Sequence, residues 1–289
     1  MEIVIHTTQL GKSFVLGNKK RIEVLKDINM EIVRGKLTLL KGRSGSGKTT
    51  LLNMLSALDY PTAGTVEFHG KDLATLTDAE KEVLRSKRMG FVFQSVALVP
   101  IMSAYENVDF ALRLADYEGD RDRRIKELME RVGLKSRMHH MANQLSGGEQ
   151  QRVAIARAIA HHPEVIFADE PTGALDTKTA DRIFQLFHKL NQDMGLTILI
   201  VTHDISLAEK ANRVVLISDG KISTEKIRKV HAATWENSQN LQEEYMVLDR
   251  AHRLQLSDEI MEKAGISTNK VCVTVENGKV VIIPEKRGS

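Results

Sequence analysis

The chain has 289 residues with 41 Lys and Arg against 38 Asp and Glu, and this near balance gives no reason to expect a nucleic-acid partner. Its single cysteine, Cys272, excludes an internal disulfide framework and is typical of a reducing compartment. Because the sequence has no apolar run of about 18 residues and no signal-peptide pattern at its start, we expect a cytoplasmic protein whose membrane partner would supply any spanning helices.

A phosphate-binding pattern, G-x-x-x-x-G-K-[ST], occupies residues 42–49. The apolar run at 37–40 predicts a strand before this loop, and the pattern at 51–55 predicts a helix after it. Glycines let backbone amides turn toward phosphate oxygens at the positive end of the helix dipole. Lys48 is predicted to reach the β- and γ-phosphates, and the Thr49 hydroxyl to bind Mg²⁺. The loop therefore predicts a nucleoside triphosphate as the ligand.

Four further apolar runs predict buried strands, at residues 89–93, 165–168, 197–201 and 213–217. Longer helical patterns lie between them, which predicts an α/β fold with a largely parallel sheet. Capping boxes mark three helix starts, namely Thr77 with Glu80, Ser103 with Glu106, and Ser146 with Glu149. The region from about 95 to 132 is rich in helical pattern, so we expect a helical subdomain inserted between strands of the core.

A second predicted anion site lies at the helix start within residues 145–152. Ser146 caps this helix, and Gly147 and Gly148 leave bare backbone amides. Two separate phosphate-binding helix starts are unusual for a monomer. They are explained if the second one serves a nucleotide that is held by another copy of the chain.

Two acidic residues, Asp169 and Glu170, follow directly on the predicted strand at 165–168. In phosphate-loop enzymes an acidic residue at the end of a neighbouring strand holds Mg²⁺ through water, which fits Asp169. Glu170 is then predicted to lie beside the γ-phosphate and to orient or deprotonate the attacking water.

The segment 145–152 resembles the signature motif of ATP-binding cassette (ABC) ATPases, and the other motifs of that family follow in order over about residues 2–222. The resemblance implies a RecA-like phosphate-loop core, an N-terminal antiparallel β subdomain and an inserted helical subdomain. It also implies that Phe14 stacks on adenine and that Gln94 senses Mg²⁺ and water. Asp176 would lie in the loop that joins two active sites, and His203 would contact the γ-phosphate.

The resemblance implies ATP and Mg²⁺ as cofactors and assigns the site residues in four groups. The residues expected to bind ATP are Phe14, Gly42, Ser44, Gly45, Ser46, Gly47, Lys48, Thr49 and Thr50. The signature residues expected to bind it from the other copy are Ser146, Gly147, Gly148 and Glu149. The metal ligands would be Thr49, Gln94 and Asp169, and the catalytic residues Glu170, His203 and Gln94. Many relatives carry tyrosine at Phe14 and glutamine at Glu149, but both catalytic carboxylates are present, so we expect an active ATPase.

The segments 95–108 and 171–176 resemble those of the lipoprotein-release, macrolide-export and antimicrobial-peptide-resistance group. The resemblance implies a homodimer that closes on ATP and drives motion in a separate integral-membrane permease. The chain would then lie peripherally on the inner face of the cell membrane. We expect an ABC ATPase domain at 1–222, with its helical subdomain at about 95–160.

Beyond this domain we expect a linker or helix at 223–243 and a small, mostly β domain at 244–289. A helix is predicted at 258–263, followed by a hairpin whose turn is Asn277-Gly278. This tail resembles the swapped-hairpin domains of bacterial transition-state regulators and antitoxins, although His252 and Ser257 replace the usual glycine and proline.

We interpret the tail as a dimerisation or regulatory unit. One alternative is an accessory hairpin packed on its own cassette. Another is a soluble ABC ATPase whose tail binds DNA. The tail is poorly equipped for that role, because residues 221–289 contain 11 Lys and Arg against 10 Asp and Glu.

Overall fold

The structure is a computed structural model that describes residues 2–15, 17, 19–203, 211–228, 242–246, 256, 258–267 and 271–284. In chain order its strands are β1 (Ile3–Val15), β2 (Arg21–Val33), β3 (Leu37–Lys41), β4 (Ala63–Phe68), β5 (Lys71–Asp72), β6 (Met89–Val92), β7 (Val165–Asp169), β8 (Thr197–Thr202), β9 (Arg213–Ser218), β10 (Lys221–Arg228), β11 (Gln242–Met246), β12 (Val271–Glu276) and β13 (Lys279–Pro284). Its α-helices are α1 (Lys48–Leu55), α2 (Asp78–Arg88), α3 (Ala104–Leu114), α4 (Arg121–Arg131), α5 (Gly147–Ala158), α6 (Thr177–Met194) and α7 (Asp258–Lys263). These elements form two compact units, residues 1–245 and 246–289.

Two sheets build the first unit. A four-stranded antiparallel sheet has the order β2-β1-β4-β5. The larger sheet has the order β11-β10-β9-β3-β8-β7-β6, in which β9, β3, β8, β7 and β6 are parallel and β10 is antiparallel to β9. The four strands predicted from apolar runs are thus confirmed, and so is the predicted α/β class with an antiparallel β subdomain.

The central strands are buried on both faces, and successive side chains enter two different apolar clusters. Ile198 and Ile200 of β8 pack with the helices α3, α5 and α6, whereas Leu199 and Val201 pack with α1 and the antiparallel sheet. This alternation is the period-2 geometry of a strand, and a continuous apolar run is what a doubly covered parallel strand requires. The sheet therefore fixes the carboxyl ends of β3, β7 and β8 next to one another.

The helix starts agree with the predicted capping boxes. In each of the three, the hydroxyl of the capping residue accepts a hydrogen bond from the backbone amide of the glutamate three residues later. The side chain of that glutamate accepts a hydrogen bond from the backbone amide of the capping residue. Helices α3 and α4 occupy the region that the sequence assigns to a helical insertion. Their buried residues, among them Val108, Leu112 and Leu128, join α5 in one cluster. This packing positions the signature helix α5.

The sheet extends further along the chain than the sequence predicts. Residues 223–228 and 242–243 were expected in a linker or helix but belong to β10 and β11. Strand β10 pairs antiparallel with β9, and Glu225 of β10 forms an ion pair with Arg213 of β9. Residues 229–241 lie outside the described residues. The boundaries drawn at 222 and 243 stay predictions.

The second unit contains the predicted helix α7 and the predicted hairpin of β12 and β13. The turn residues Asn277 and Gly278 both have positive φ, 51° and 75°, as a type I′ turn requires. Residues 247–255, which carry most of the resemblance to swapped-hairpin domains, lie outside the described residues. Across the ranges that the structure describes, no helix combines the length and apolar character needed to cross a membrane.

Candidate nucleotide-binding site

The phosphate loop connects β3 to α1 and depends on glycine at two positions. Gly47 caps α1 with φ 100° and without a side-chain cap, so the first amides of the helix are left for another acceptor. A Cβ atom on Gly42 would lie 2.4 Å from the carbonyl oxygen of Ile217 and 2.6 Å from Oγ of Ser46. Any side chain at Gly42 would therefore push the loop away from β9.

Lys48 and Ser46 hold polar groups inside the loop. The Lys48 side chain is nearly buried, and its ammonium donates to the carbonyl oxygens of Gly42 at 2.8 Å and Arg43 at 3.0 Å. Ser46 is also buried, and its hydroxyl has no hydrogen-bond partner among the described residues. A buried polar atom without a protein partner is typical of a site that binds a polar ligand. The loop thus fits a phosphate group.

Asp169 lies at the carboxyl end of β7, and its Oδ1 accepts a hydrogen bond from the Thr49 hydroxyl at 3.3 Å. Burial raises the pKa of Asp169, and the charge of Glu170 adds to this effect. The hydrogen bond from Thr49 and the charge of Lys48 oppose it. A carboxylate and a hydroxyl this close form part of the hard oxygen set that Mg²⁺ prefers.

The raised pKa of Asp169 predicts a stability gain when its charge is removed. A folded-state pKa above the ordinary value of 3.8 means that the folded chain binds the proton more tightly, so the free energy of unfolding falls as pH rises through the folded pKa. We expect Asp169→Asn to raise the melting temperature of the nucleotide-free chain at pH 7, and to raise it much less near pH 4. Calorimetry at the two pH values tests this. An equal shift at both would contradict the electrostatic explanation.

Glu170 turns toward the same cleft through an unusual backbone conformation. Its φ is 45°, a left-handed value that costs about 1–3 kcal/mol in a residue other than glycine and is typical of functional sites. Its amide donates to the carbonyl oxygen of Val201 at 2.9 Å. Its Oε2 lies 2.8 Å from Nδ1 of His203, which follows β8. The backbone therefore pairs a carboxylate with an imidazole at the carboxyl edge of the sheet.

Gln94 follows β6 and lies against the backbone of Gly173, where a Cβ atom would approach the Gln94 Nε2 to 2.8 Å. Together with the phosphate loop, this residue lines a cleft of about 510 Å³, a size typical of small-ligand sites. The predicted residues brought together there are Ser44, Gly45, Gly47, Lys48, Thr49, Thr50, Gln94, Glu170 and His203. Asp169 adjoins them through Thr49.

One cleft residue, Val24, was not predicted. It lies in β2, and its carbonyl oxygen would be 3.1 Å from a Cβ atom on Gly47. No motif marks it, because only the crossing of β2 beside the phosphate loop brings it there. Phe14 lies near the end of β1, is 42% exposed and has the Lys12 ammonium 5.1 Å from its ring centre. It is not among the residues that line the cleft, so its stacking on adenine stays a prediction.

The signature residues lie at the start of α5 and do not line the cleft. Cβ atoms placed on Gly147 and Gly148 would meet Leu175 at 3.4 Å and Thr179 at 2.5 Å. These two neighbours lie on either side of Asp176 in the sequence. Asp176 caps α6, because its Oδ1 accepts a hydrogen bond from the backbone amide of Thr179 at 3.1 Å. The signature segment and the Asp176 loop are therefore adjacent in one chain.

Comparison with known proteins agrees with this geometry. The chain matches the ABC transporter family over residues 25–173. It is 45% identical to an uncharacterized ABC transporter ATP-binding protein of Thermotoga maritima, over 77% of this chain and 94% of that protein. It is 44% identical to the lipoprotein-releasing system ATP-binding protein LolD of Syntrophotalea carbinolica, over 76% and 97%. The macrolide export ATP-binding/permease protein MacB of Bartonella henselae is 42% identical, but only 37% of its length is matched.

The fold also matches a solved structure, the dimeric post-hydrolysis state of the ATP-binding cassette MJ0796 bound to ADP and Pi. That cassette is 40% identical, with a TM-score of 0.70 over 76% of this chain and 97% of its own. The family match ends at residue 173, before the second unit begins. The chain therefore belongs to the ABC transporter family, as an ATP-binding subunit with the fold of an ABC ATPase.

Proposed function

We propose that this chain acts as a homodimer that closes on ATP and drives a separate membrane permease of the macrolide-export or lipoprotein-release type. One observation carries the proposal: the cleft gathers the phosphate loop, Glu170, Gln94 and His203, while the signature residues of the same chain do not line it. A second copy would supply them. The dimeric MJ0796 cassette and the names of MacB and LolD support this proposal.

In this proposal each ATP is bound by two chains. The ammonium of Lys48, the Ser46 hydroxyl and the free amides of α1 bind the β- and γ-phosphates. Ser146 of the partner subunit and the amides that follow it bind the γ-phosphate from the other side. Because both anion sites are needed to enclose the phosphates, ATP holds the dimer closed, and loss of the γ-phosphate releases it.

The residues that would hold Mg²⁺ are Thr49, Gln94 and Asp169. The Thr49 hydroxyl and the Asp169 carboxylate are hydrogen-bonded at 3.3 Å, and Gln94 lines the same cleft as Thr49. All three side chains carry oxygen atoms, the ligand type that a hard divalent cation prefers. When bound, Mg²⁺ would neutralise charge on the β- and γ-phosphates. Glu170 would accept a proton from the attacking water. The His203 imidazole lies 2.8 Å from the Glu170 carboxylate and would orient that carboxylate.

An apolar groove beside Gln94 offers a docking surface for the permease. It has a volume of about 330 Å³ and is lined by β6 together with α3 and α5. Phe93, Phe110 and Leu114 line it with exposed side chains. Its charged or titratable lining residues are Arg85, Arg157 and His161, with no carboxylate among them. We propose that a cytoplasmic segment of the permease with an acidic residue binds here, which would hold the chain on the inner face of the membrane.

The hairpin of the second unit has an apolar face that supports dimerisation. The register pairs Val273 with Ile282 and Val275 with Val280, so these side chains share one face. Val275 and Val280 are 73% and 68% exposed, and a two-stranded hairpin is marginally stable by itself. We propose that the hairpin of a second copy covers this face and keeps two cassettes together without ATP.

Truncation tests the role of the tail. The cut should follow Met246 so that β10 and β11 remain in the sheet. Light scattering without nucleotide is expected to give a dimer for the full chain and a monomer for residues 1–246. Monomers in both cases would contradict a dimerising tail. Salt-dependent binding of duplex DNA that is lost on truncation would instead favour the alternative of a DNA-linked ATPase.

The main proposal is tested with the same truncated chain, because its dimers would depend on ATP alone. Addition of ATP to residues 1–246 carrying Glu170→Gln is expected to convert the monomer into a dimer in light scattering. A monomer at saturating ATP would refute the proposal that ATP closes a homodimer. A permease with four spanning helices and a large extracytoplasmic domain, encoded beside this chain, is expected to co-purify with it.

A further inference from the structure

The loop after Gln94 contains two consecutive residues in the left-handed region. Val96 has φ 59° and Ala97 has φ 48°. This conformation is unfavourable for any residue with a Cβ atom and is most unfavourable for a β-branched one such as Val96. Such a pair persists only when surrounding contacts hold it in place.

Arg157 makes those contacts. Its Nη1 donates to the carbonyl oxygen of Ala97 at 2.6 Å, and its Nη2 donates to that of Val96 at 3.2 Å. The planar guanidinium thus bridges two successive carbonyls, a geometry that lysine does not reproduce. Because both left-handed residues are held through their carbonyls, the bridge acts directly on the strained part of the loop.

The two hydrogen bonds to the loop are the main interactions that offset the cost of burying the Arg157 charge. Burial lowers the pKa of the guanidinium. The other titratable groups that line the groove around it are Arg85 and His161, and no carboxylate is among the described residues there. Hydrogen bonds from a charged donor in such a site are about twice as strong as neutral ones. Arg157 and the loop therefore stabilise each other.

The bridge also links two parts of the ATP site. Arg157 lies in the last turn of α5, and Ser146 caps the start of the same helix. Eleven residues of helix span about 16 Å as a rigid element. One helix therefore carries both the signature residues and the side chain that binds the loop after Gln94.

We propose that Arg157 is a positioning residue for Gln94, which it acts on by clamping the left-handed Val96-Ala97 pair to the signature helix. The role rests on the proposed function, in which Gln94 contacts Mg²⁺ and water. Without the clamp the loop relaxes toward ordinary backbone angles and Gln94, two residues before Val96, leaves its position against Gly173.

The test compares Arg157→Met with a matched control, Arg124→Met. Arg124 also donates to two successive backbone carbonyls, those of Ile159 at 3.1 Å and Ala160 at 3.0 Å, and it lines neither the nucleotide cleft nor the apolar groove. Hydrogen exchange of the peptide covering residues 93–98 reports the loop without reference to activity, since the amides of Val96 and Ala97 are hydrogen-bonded within it. Steady-state ATPase kinetics of the full chain report the contribution of Gln94 to catalysis. If Arg157→Met does not fold, Arg157→Gln takes its place.

We expect Arg157→Met to speed exchange in this peptide at least tenfold and to lower kcat by roughly 10- to 100-fold with little change in KM for ATP. Arg124→Met should change neither the exchange of this peptide nor kcat. Adding Val96→Gly to Arg157→Met should recover about tenfold in kcat, because glycine adopts the left-handed conformation without the Cβ penalty.

Unchanged exchange in Arg157→Met would overturn the clamp, and faster exchange with wild-type kcat would overturn the positioning of Gln94. An equal loss of kcat in Arg157→Met and Arg124→Met would also overturn the positioning of Gln94. A wild-type chain without ATPase activity would refute the proposed function instead. In that case the exchange result alone still decides whether Arg157 holds the loop.

Discussion

Glu170→Gln is expected to lower kcat for ATP hydrolysis by about 10²- to 10⁴-fold while ATP still binds, because the amide keeps the shape of the side chain but cannot accept a proton from water. The structure provides the geometric basis: a left-handed backbone turns the carboxylate into the cleft, 2.8 Å from Nδ1 of His203. Steady-state turnover and filter binding of ATP measure the two effects separately.

The matched control for this prediction is Glu164→Gln, the same change at the other end of β7. Glu164 binds His69 and Arg88 outside the cleft, so its replacement should leave kcat unchanged. ATP-bound dimers should accumulate only in Glu170→Gln. Hydrolysis by this variant at the wild-type rate would remove Glu170 from the catalytic role.

Lys48→Ala is expected to weaken ATP binding by about 100-fold or more, the usual consequence of removing one partner of a desolvated charge contact. The Lys48 ammonium donates to the Gly42 and Arg43 carbonyls of the phosphate loop. Because a ligand that binds only the folded state raises the melting temperature, the rise that ATP produces in the wild type should disappear.

Lys48→Arg serves as the control for charge without matching geometry. Its guanidinium keeps the positive charge but is larger than the ammonium, so we expect an ATP affinity between those of the wild type and Lys48→Ala. If Lys48→Ala kept the full rise in melting temperature with ATP, the phosphate loop would not be the nucleotide site.

The sequence predicted the fold where local chemistry determines structure. The capping boxes and the turn at Asn277-Gly278 are local, and the predicted helix starts and hairpin were confirmed. The apolar run at 197–201 was recognisable as a strand because both its faces are covered. The polar strand β10 was missed because its pairing with β9 and the ion pair of Glu225 with Arg213 are tertiary contacts.

In the site, motif residues were predicted and tertiary neighbours were not. Val24 joins the cleft only because β2 crosses the phosphate loop, and no pattern in the sequence records that crossing. The left-handed backbone of Glu170 and Val96 was equally invisible, since neither residue type favours positive φ. In the sequence Arg157 is an ordinary residue of an Ala-rich helix. Only the structure shows that it donates to the carbonyls of Val96 and Ala97.

Mixing two inactive variants tests most directly whether each ATP is enclosed by Lys48 of one chain and Ser146 of the other. Chains of residues 1–246 carrying Glu170→Gln are prepared with either Lys48→Ala or Ser146→Arg, and retained ATP and mass are measured. Neither variant alone should form ATP-bound dimers, whereas the mixture should form a heterodimer with a single bound ATP at its one intact composite site. Absence of ATP-bound heterodimers in the mixture, or ATP-bound dimers of Ser146→Arg alone, would contradict the two-chain site.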